Sequence, residues 1–388
     1  MIDKYEKITC NGCKLCSEIC PKHAISYAED EFGFWHPKVN YDLCIHCSLC
    51  VNKCPNKTKI NVDKVLPLVK AAWSKDNSIR LKSTSGGIFF ELANFILKNQ
   101  GYVCGCAYDS DFKGAHHVLI DKIEDLEPLM VSKYVESDTE GIYSKIKIAL
   151  NTNNYVLFVG APCQCAALYS YLGKDYENLI VVDFLCRGAN SPKAHKKYIE
   201  YLEKKYQSKM VKLRSKDKRN GWNKFGQSAE FENGETYYAS RNDDLRVVAY
   251  HKGNLMMRSS CLECKFKELP RYSDLTLGDF WGIDPSEVYD VEKGVSLVFI
   301  NSKKGQKIFE NISDQVNYID KTLEDALKGN VAIFESATKG KNRDKFLLEL
   351  DEYPFDYLVN KYKNKEKPFI IRLLQKIKRK IIKIFRRR

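Results

Sequence analysis

Residues 102–107, 155–159 and 179–185 are short, continuous apolar runs, as in strands buried on both faces. Residues 295–300 predict another buried strand, and residues 225–231 alternate like a strand with one wet face. Apolar positions return at helical spacing over Ile88–Lys98 and Pro192–Tyr206, with Ser85 and Ser191 placed as caps. Lys303–Asn311 and residues 341–351 read as later helices. From about residue 70 the chain therefore predicts a mixed α/β body. The first 60 residues follow a different rule.

There, Cys10, Cys13, Cys16 and Cys20 recur as Cys44, Cys47, Cys50 and Cys54, each 34 residues on, and Pro21 and Pro55 close the two sets. Each half reads C-x2-C-x2-C-x3-C-P, the bacterial ferredoxin run, in which three close thiolates hold one 4Fe-4S cluster and the fourth serves the other. The pattern assigns Cys10, Cys13, Cys16 and Cys54 to one cluster, and Cys44, Cys47, Cys50 and Cys20 to the second. Two complete copies argue against a pair of zinc knuckles. His23 and His46 fall inside the repeat as loop residues, because the thiols already complete the coordination.

Seven cysteines remain. Cys163 and Cys186 each follow a predicted buried strand, where α/β proteins gather their sites, and Cys261 and Cys264 form a further CxxC pair. These four thiols are candidates for a third 4Fe-4S site, with zinc or metal-free buried thiols as the other readings. Cys104, Cys106 and Cys165 read as core residues, and the His116-His117 pair as a strand end without a role.

Of 388 residues, 44% are apolar and 12% aromatic, which excludes disorder as the main state. Fifteen cysteines without an export signal point to metal or redox chemistry and a cytoplasmic location. The net charge of +13 resembles a nucleic-acid signal until it is divided: residues 361–388 carry 13 Lys/Arg and one acid, and the rest is balanced to within one charge. From Ile370 the tail places Leu373, Leu374, Ile377, Ile381, Ile384 and Phe385 on one helical stripe of about 120°. A basic amphipathic helix of this kind suits an anionic membrane surface; nucleic acid would not explain the apolar stripe.

The order of motifs carries a resemblance. After the cysteine repeat come Ala72-Trp73-Ser74-Lys75, Ser83-Thr84-Ser85-Gly86-Gly87 and Ser132-Lys133-Tyr134. Gly160-Ala161-Pro162-Cys163-Gln164, Cys186-Arg187-Gly188, the Cys261–Cys264 pair and Gly278-Asp279-Phe280-Trp281-Gly282 follow. Together they resemble the beta subunits of coenzyme F420 hydrogenases and dehydrogenases, closest to bacterial members linked with cell-surface polysaccharide biosynthesis. That family usually has threonine where Ala161 stands, histidine at Arg187 and glycine at Val131.

The resemblance implies a flavoprotein oxidoreductase with FAD, passing electrons between a soluble hydride carrier (F420-like or NAD(P)H-like) or substrate and 4Fe-4S clusters. A non-catalytic electron-transfer subunit feeding a partner enzyme is the alternative. Ser83, Thr84, Ser85, Gly86 and Gly87, before a helix whose free amides attract phosphate, are candidates for the flavin pyrophosphate. Lys133 is a second anion ligand in this reading, with Asp279 and Trp281 beside the flavin; a turn packed by Phe280 and Trp281 is the plainer account of the last pair. The expected layout is a dicluster domain over 1–60, two parts of one flavin-binding body over 68–160 and 161–340, and a helical extension over 341–388. The overall expectation is an α+β or mixed α/β chain: a small ferredoxin-like domain, a larger mixed-sheet domain and a C-terminal amphipathic helix.

Overall fold

The computed structural model describes residues 1–5, 7–57 and 66–363. The amphipathic tail expected from Ile370 onward lies outside the described residues. Among the described residues, no helix is long and apolar enough to cross a membrane.

The N-terminal unit is small and held by loops. Its only described sheet is the hairpin of β1 (Ile25–Glu29) and β2 (Trp35–Val39), paired antiparallel. Ile2, Ile25, Val39 and Cys50 form its own apolar cluster, too little burial to hold a domain without further support.

The body is built on an eight-stranded mixed sheet. Its strands are β3 (Leu68–Ser74), β4 (Tyr102–Tyr108), β5 (Ala115–Ile120), β6 (Val156–Gly160), β7 (Leu179–Phe184), β11 (Leu275–Asp279), β12 (Ser296–Ile300) and β13 (Val316–Lys321). They lie in the order β13-β3-β12-β11-β7-β6-β4-β5. The central run β4-β6-β7-β11 is parallel, and the flanking pairs are antiparallel. Residues 156–158, 179 and 181–182 are fully buried, because helices cover both sheet faces. Met210–Asp217 (β8), Gly226–Phe231 (β9) and Thr236–Ser240 (β10) form a separate antiparallel sheet. A second core joins it to Pro192–Tyr206 and Phe355–Tyr362.

The fold expectation holds: a small ferredoxin-like unit precedes a larger mixed sheet. The helices at Ile88–Lys98, Pro192–Tyr206 and Lys303–Asn311 lie where the periodicity put them. Ser191 caps its helix by accepting from the Ala194 amide. Ser85 does not cap. The N-cap is Gly87 at φ +93°, two residues later, and the Ser85 hydroxyl donates to the Val295 carbonyl at 2.9 Å instead. The helix expected over 341–351 is shorter, Arg343–Leu348, and tightens into a 3-10 turn.

One core histidine makes an acid-sensitive point. His195 is 1% exposed and stacks on Tyr108 at 5.7 Å, with Nε2 against the Phe112 carbonyl at 2.8 Å. Burial, aided by Arg246, pushes its pKa down to about 3 against the carbonyl's opposing pull. As pH falls through the ordinary value of 6.5, the unfolded chain binds a proton that the folded chain refuses, so stability is lost on acidification. At pH 5 this one group costs about 2 kcal/mol. Thermal melts between pH 7.5 and 5 should show a flatter decline for His195→Gln than for the wild type; parallel declines would refute this role.

Candidate functional site

The 34-residue repeat extends from sequence into backbone. Gly12 and Lys14 have φ of +68° and +54°, and their counterparts His46 and Ser48 have +56° and +60°. These left-handed residues curl each loop into a one-turn helix, Leu15–Glu18 and Leu49–Asn52, and turn the cysteines inward. Cys10, Cys13, Cys16 and Cys54 line one cavity of about 60 Å³. Cys20, Cys44, Cys47 and Cys50 line another of about 20 Å³. Each cavity takes three thiols from one half of the repeat and one from the other.

The donor chemistry suits iron–sulfur clusters. All four donors in each cavity are sulfur, and backbone amides reach many of them: Gly12 to Cys10, Leu15 to Cys13, Ile2 and Val51 to Cys50, Asn56 to Cys54. The Ala24 amide donates to the Cys20 sulfur at 3.4 Å. Such bonds favour the thiolate, the form that binds iron.

Strand order gathers the second group of cysteines. Cys163 opens the helix Pro162–Leu172 after β6, Cys186 follows β7, and Cys261 and Cys264 come from the loop before β11. Burial holds the Cys163 thiol well above its ordinary range, and charge on Cys264, Cys186, Cys261 or Cys13 pushes the same way, so all four lie within electrostatic reach of it. The Ala189 amide donates to the Cys261 sulfur at 3.3 Å. Lys267 and Arg271 lie close enough to Cys186 to favour its thiolate against the burial that opposes it. Cys104 and Cys165 are fully buried in the core, whereas Cys106 is half-buried beside Lys133 and Ser137.

The flavin candidates form one neighbourhood. Thr84 Oγ1 accepts from the Ser132 amide at 3.2 Å, which ties Thr84 to the residue before Lys133. Burial lowers the Lys133 ammonium to about 8, its hydrogen-bond partner is the Pro128 carbonyl, and among the described residues it makes no ion pair. A cation so placed fits an anionic group such as a flavin phosphate. Ser85 and Phe280 meet at Val295, whose carbonyl accepts from both, bringing residues 278–282 alongside.

Within that turn the side chains are engaged by the body. Asp279 pairs with Lys216 and accepts from Trp222 Nε1 at 2.8 Å. Trp281 stacks on Trp222 at 4.4 Å, and Phe280 is 1% exposed. Gly86 is also committed to packing: a Cβ there would stand 2.4 Å from the Ala72 carbonyl. His116 and His117 lie within β5. His117 is buried, with burial chiefly holding its pKa down to about 4.

Several residues here escaped sequence reasoning. Arg258 and Glu136 form a buried ion pair, and Arg258 reaches the carbonyls of Cys10 and Trp35. His36 hydrogen-bonds Asp30 at 3.0 Å and reaches the Cys10 thiol, and Tyr27 meets the Cys16 sulfur at 3.0 Å. Lys216 belongs to the alternating cations Arg214, Lys216 and Lys218, the one sequence signal that could have drawn attention to it. A lone arginine and a lone glutamate carry no such signal.

Two regions of the chain match known families. Residues 9–58 match the family model described as "4Fe-4S dicluster domain". Residues 153–325 match the family model for the C-terminal region of the coenzyme F420 hydrogenase/dehydrogenase beta subunit. Among curated proteins, the chain is 40% identical over 57 residues to pyruvate synthase subunit PorD of Methanocaldococcus jannaschii, covering 14% of this chain and 62% of that one. It is also 40% identical over 43 residues to ferredoxin-type protein NapF of Haemophilus influenzae, 11% of this chain and 24% of that one. The chain thus spans less than two thirds of either relative. A solved chain from the F420-reducing NiFe hydrogenase complex of Methanosarcina barkeri aligns over 78% of this chain and 97% of its own, at 17% identity and a TM-score of 0.46.

The class that follows is a protein with a 4Fe-4S dicluster domain joined to a mixed α/β body. Within that body, residues 153–325 are similar to the C-terminal region of the coenzyme F420 hydrogenase/dehydrogenase beta subunit.

Proposed function

We infer that this chain is an oxidoreductase passing electrons between a hydride donor, F420-like or NAD(P)H-like, and one-electron carriers, in the service of cell-surface polysaccharide biosynthesis. The observation that carries the reading is a file of thiols. It starts at exposed Cys47 in the second cavity, continues through the first, and reaches Cys163 in the body, within electrostatic reach of Cys13. In this reading Cys10, Cys13, Cys16 and Cys54 hold one 4Fe-4S cluster and Cys20, Cys44, Cys47 and Cys50 the second. Cys163, Cys186, Cys261 and Cys264 hold a third. Flavin chemistry exchanges electron pairs with hydride carriers, whereas 4Fe-4S clusters pass electrons singly.

The protein's own groups prepare both kinds of site. Backbone amides stabilise the thiolates, and Lys267 and Arg271 offset negative charge near Cys186. In this reading Ser83, Thr84 and Lys133 bind an anionic phosphate, and the Lys216–Asp279 pair stiffens the neighbouring turn. Anaerobically purified protein should contain iron and acid-labile sulfide for at least two clusters and release a flavin on denaturation. It should also bleach when given a hydride donor. Clusters without flavin or bleaching would leave an electron-transfer subunit that feeds a partner; zinc without sulfide would defeat both readings.

The basic tail adds attachment to an anionic membrane surface, with each Lys or Arg near such a leaflet contributing about 1 kcal/mol. Deleting residues 367–388 should abolish co-sedimentation with vesicles containing anionic lipid. Equal sedimentation of the truncated and full chains would dismiss the attachment.

A further inference from the structure

The ion pair between Arg258 and Glu136 lies on the seam between the ferredoxin unit and the body, 2% and 5% exposed. Arg258 uses its whole fork. Nε donates to the Cys10 carbonyl at 2.7 Å, one terminal nitrogen to both Glu136 oxygens at 2.8 and 2.7 Å, and the other to the Trp35 carbonyl at 2.8 Å. The guanidinium also stands 5.2 Å from the Phe34 ring. Gly12, in the first cysteine loop, packs so closely that a Cβ would meet a Glu136 oxygen at 1.8 Å. Arg258 also touches the third set: its own carbonyl accepts from the Cys261 amide at 3.1 Å, so one residue holds the backbone of a cysteine from each set. A fixed cation thus sits where the two sets approach each other.

We propose that Arg258 is a positioning residue that locks the first and third thiol sets together and whose buried charge raises the reduction potentials of the centres they hold, with Glu136 offsetting part of that charge. The proposal rests on reading those thiols as 4Fe-4S ligands. Reduction adds one negative charge to a cluster, so a nearby cation favours the reduced form, and a weakly screened site strengthens the effect. The carboxylate, held through one guanidinium nitrogen, keeps the buried cation neutralised enough to persist.

The test is a redox titration of anaerobic holoprotein followed by electron paramagnetic resonance, with iron and sulfide assayed on each sample. Arg258→Gln removes the cation and should lower the ratio of reduced to oxidised cluster at fixed potential by about tenfold, a shift of about 59 mV for one electron. Glu136→Gln keeps an oxygen acceptor, removes the counter-charge and should shift the ratio the other way. Arg258→Lys, which keeps the charge and loses the fork, should stay nearer the wild type in potential. Should Arg258→Gln fail to fold, the Glu136→Gln shift decides alone. Full iron with Glu136→Gln potentials unmoved or lowered overturns the role of the seam; a wild type without cluster iron overturns the thiol reading itself, and the seam proposal with it.

Discussion

Cys13→Ser should lose about four iron atoms per chain after anaerobic purification, along with the paramagnetic signal of one cluster. Cys13 lines the first cavity, and a hydroxyl is a hard, poor substitute for thiolate at iron. Its backbone makes the variant informative. The Cys13 carbonyl accepts from Thr139 Oγ1 at 2.9 Å and from the Tyr143 hydroxyl at 2.8 Å, bonds that the substitution leaves intact. Neighbouring Lys14 pairs with Asp138 at 2.6 Å, and Leu15 packs in the cluster of Ile142 and Ile146. The unit should therefore remain docked while one cluster is missing. Thr139→Val is the counterpart, expected to weaken docking by about 1 kcal/mol and keep its iron. A Cys13→Ser protein with undiminished iron and sulfide would show that this cavity is no cluster site.

Gly86→Ala is expected to collapse the body, at a cost of about 3 kcal/mol or more. The added Cβ would stand 2.4 Å from the Ala72 carbonyl and 2.8 Å from the Ser296 amide nitrogen, backbone atoms of the paired strands β3 and β12. The loop cannot retreat, because the Gly86 carbonyl accepts from the Ser74 amide at 2.7 Å and its amide donates to the Ser296 hydroxyl at 2.9 Å. Gly87→Ala is the control. Its φ of +93° penalises a side chain by about 1–2 kcal/mol, yet the nearest atom would be 3.3 Å away. Thermal melting of the two variants should rank Gly86→Ala far below Gly87→Ala; equal midpoints would refute the packing argument.

This glycine pair shows how sequence and structure part company. Two glycines before a helix read from sequence as room for a phosphate. The fold assigns Gly86 to strand packing and Gly87 to the cap, while Thr84 bonds Ser132. The helices at Ile88–Lys98 and Pro192–Tyr206 were legible because an amphipathic stripe is a local pattern. Strands β3 and β13 were not, since their alternation is weak. Their pairing joins residues about 245 positions apart, between Ser74 and Val316 at one end and Val69 and Lys321 at the other.

Spacing alone determined the two ferredoxin loops, because ligation by three cysteines within ten residues is a matter of short-range chain geometry. The sequence also determined the helices at Ile88–Lys98, Pro192–Tyr206 and Lys303–Asn311 and the balanced charge of everything before the tail, but not the helix Pro162–Leu172. Tertiary structure alone decided that loops after β6, after β7 and before β11 gather Cys163, Cys186, Cys261 and Cys264. It decided as well that Arg258 meets Glu136 and Cys10 across 122 and 248 residues of chain. Such meetings depend on strand order, and strand order follows from burying the whole sheet at once rather than from any segment's own preference.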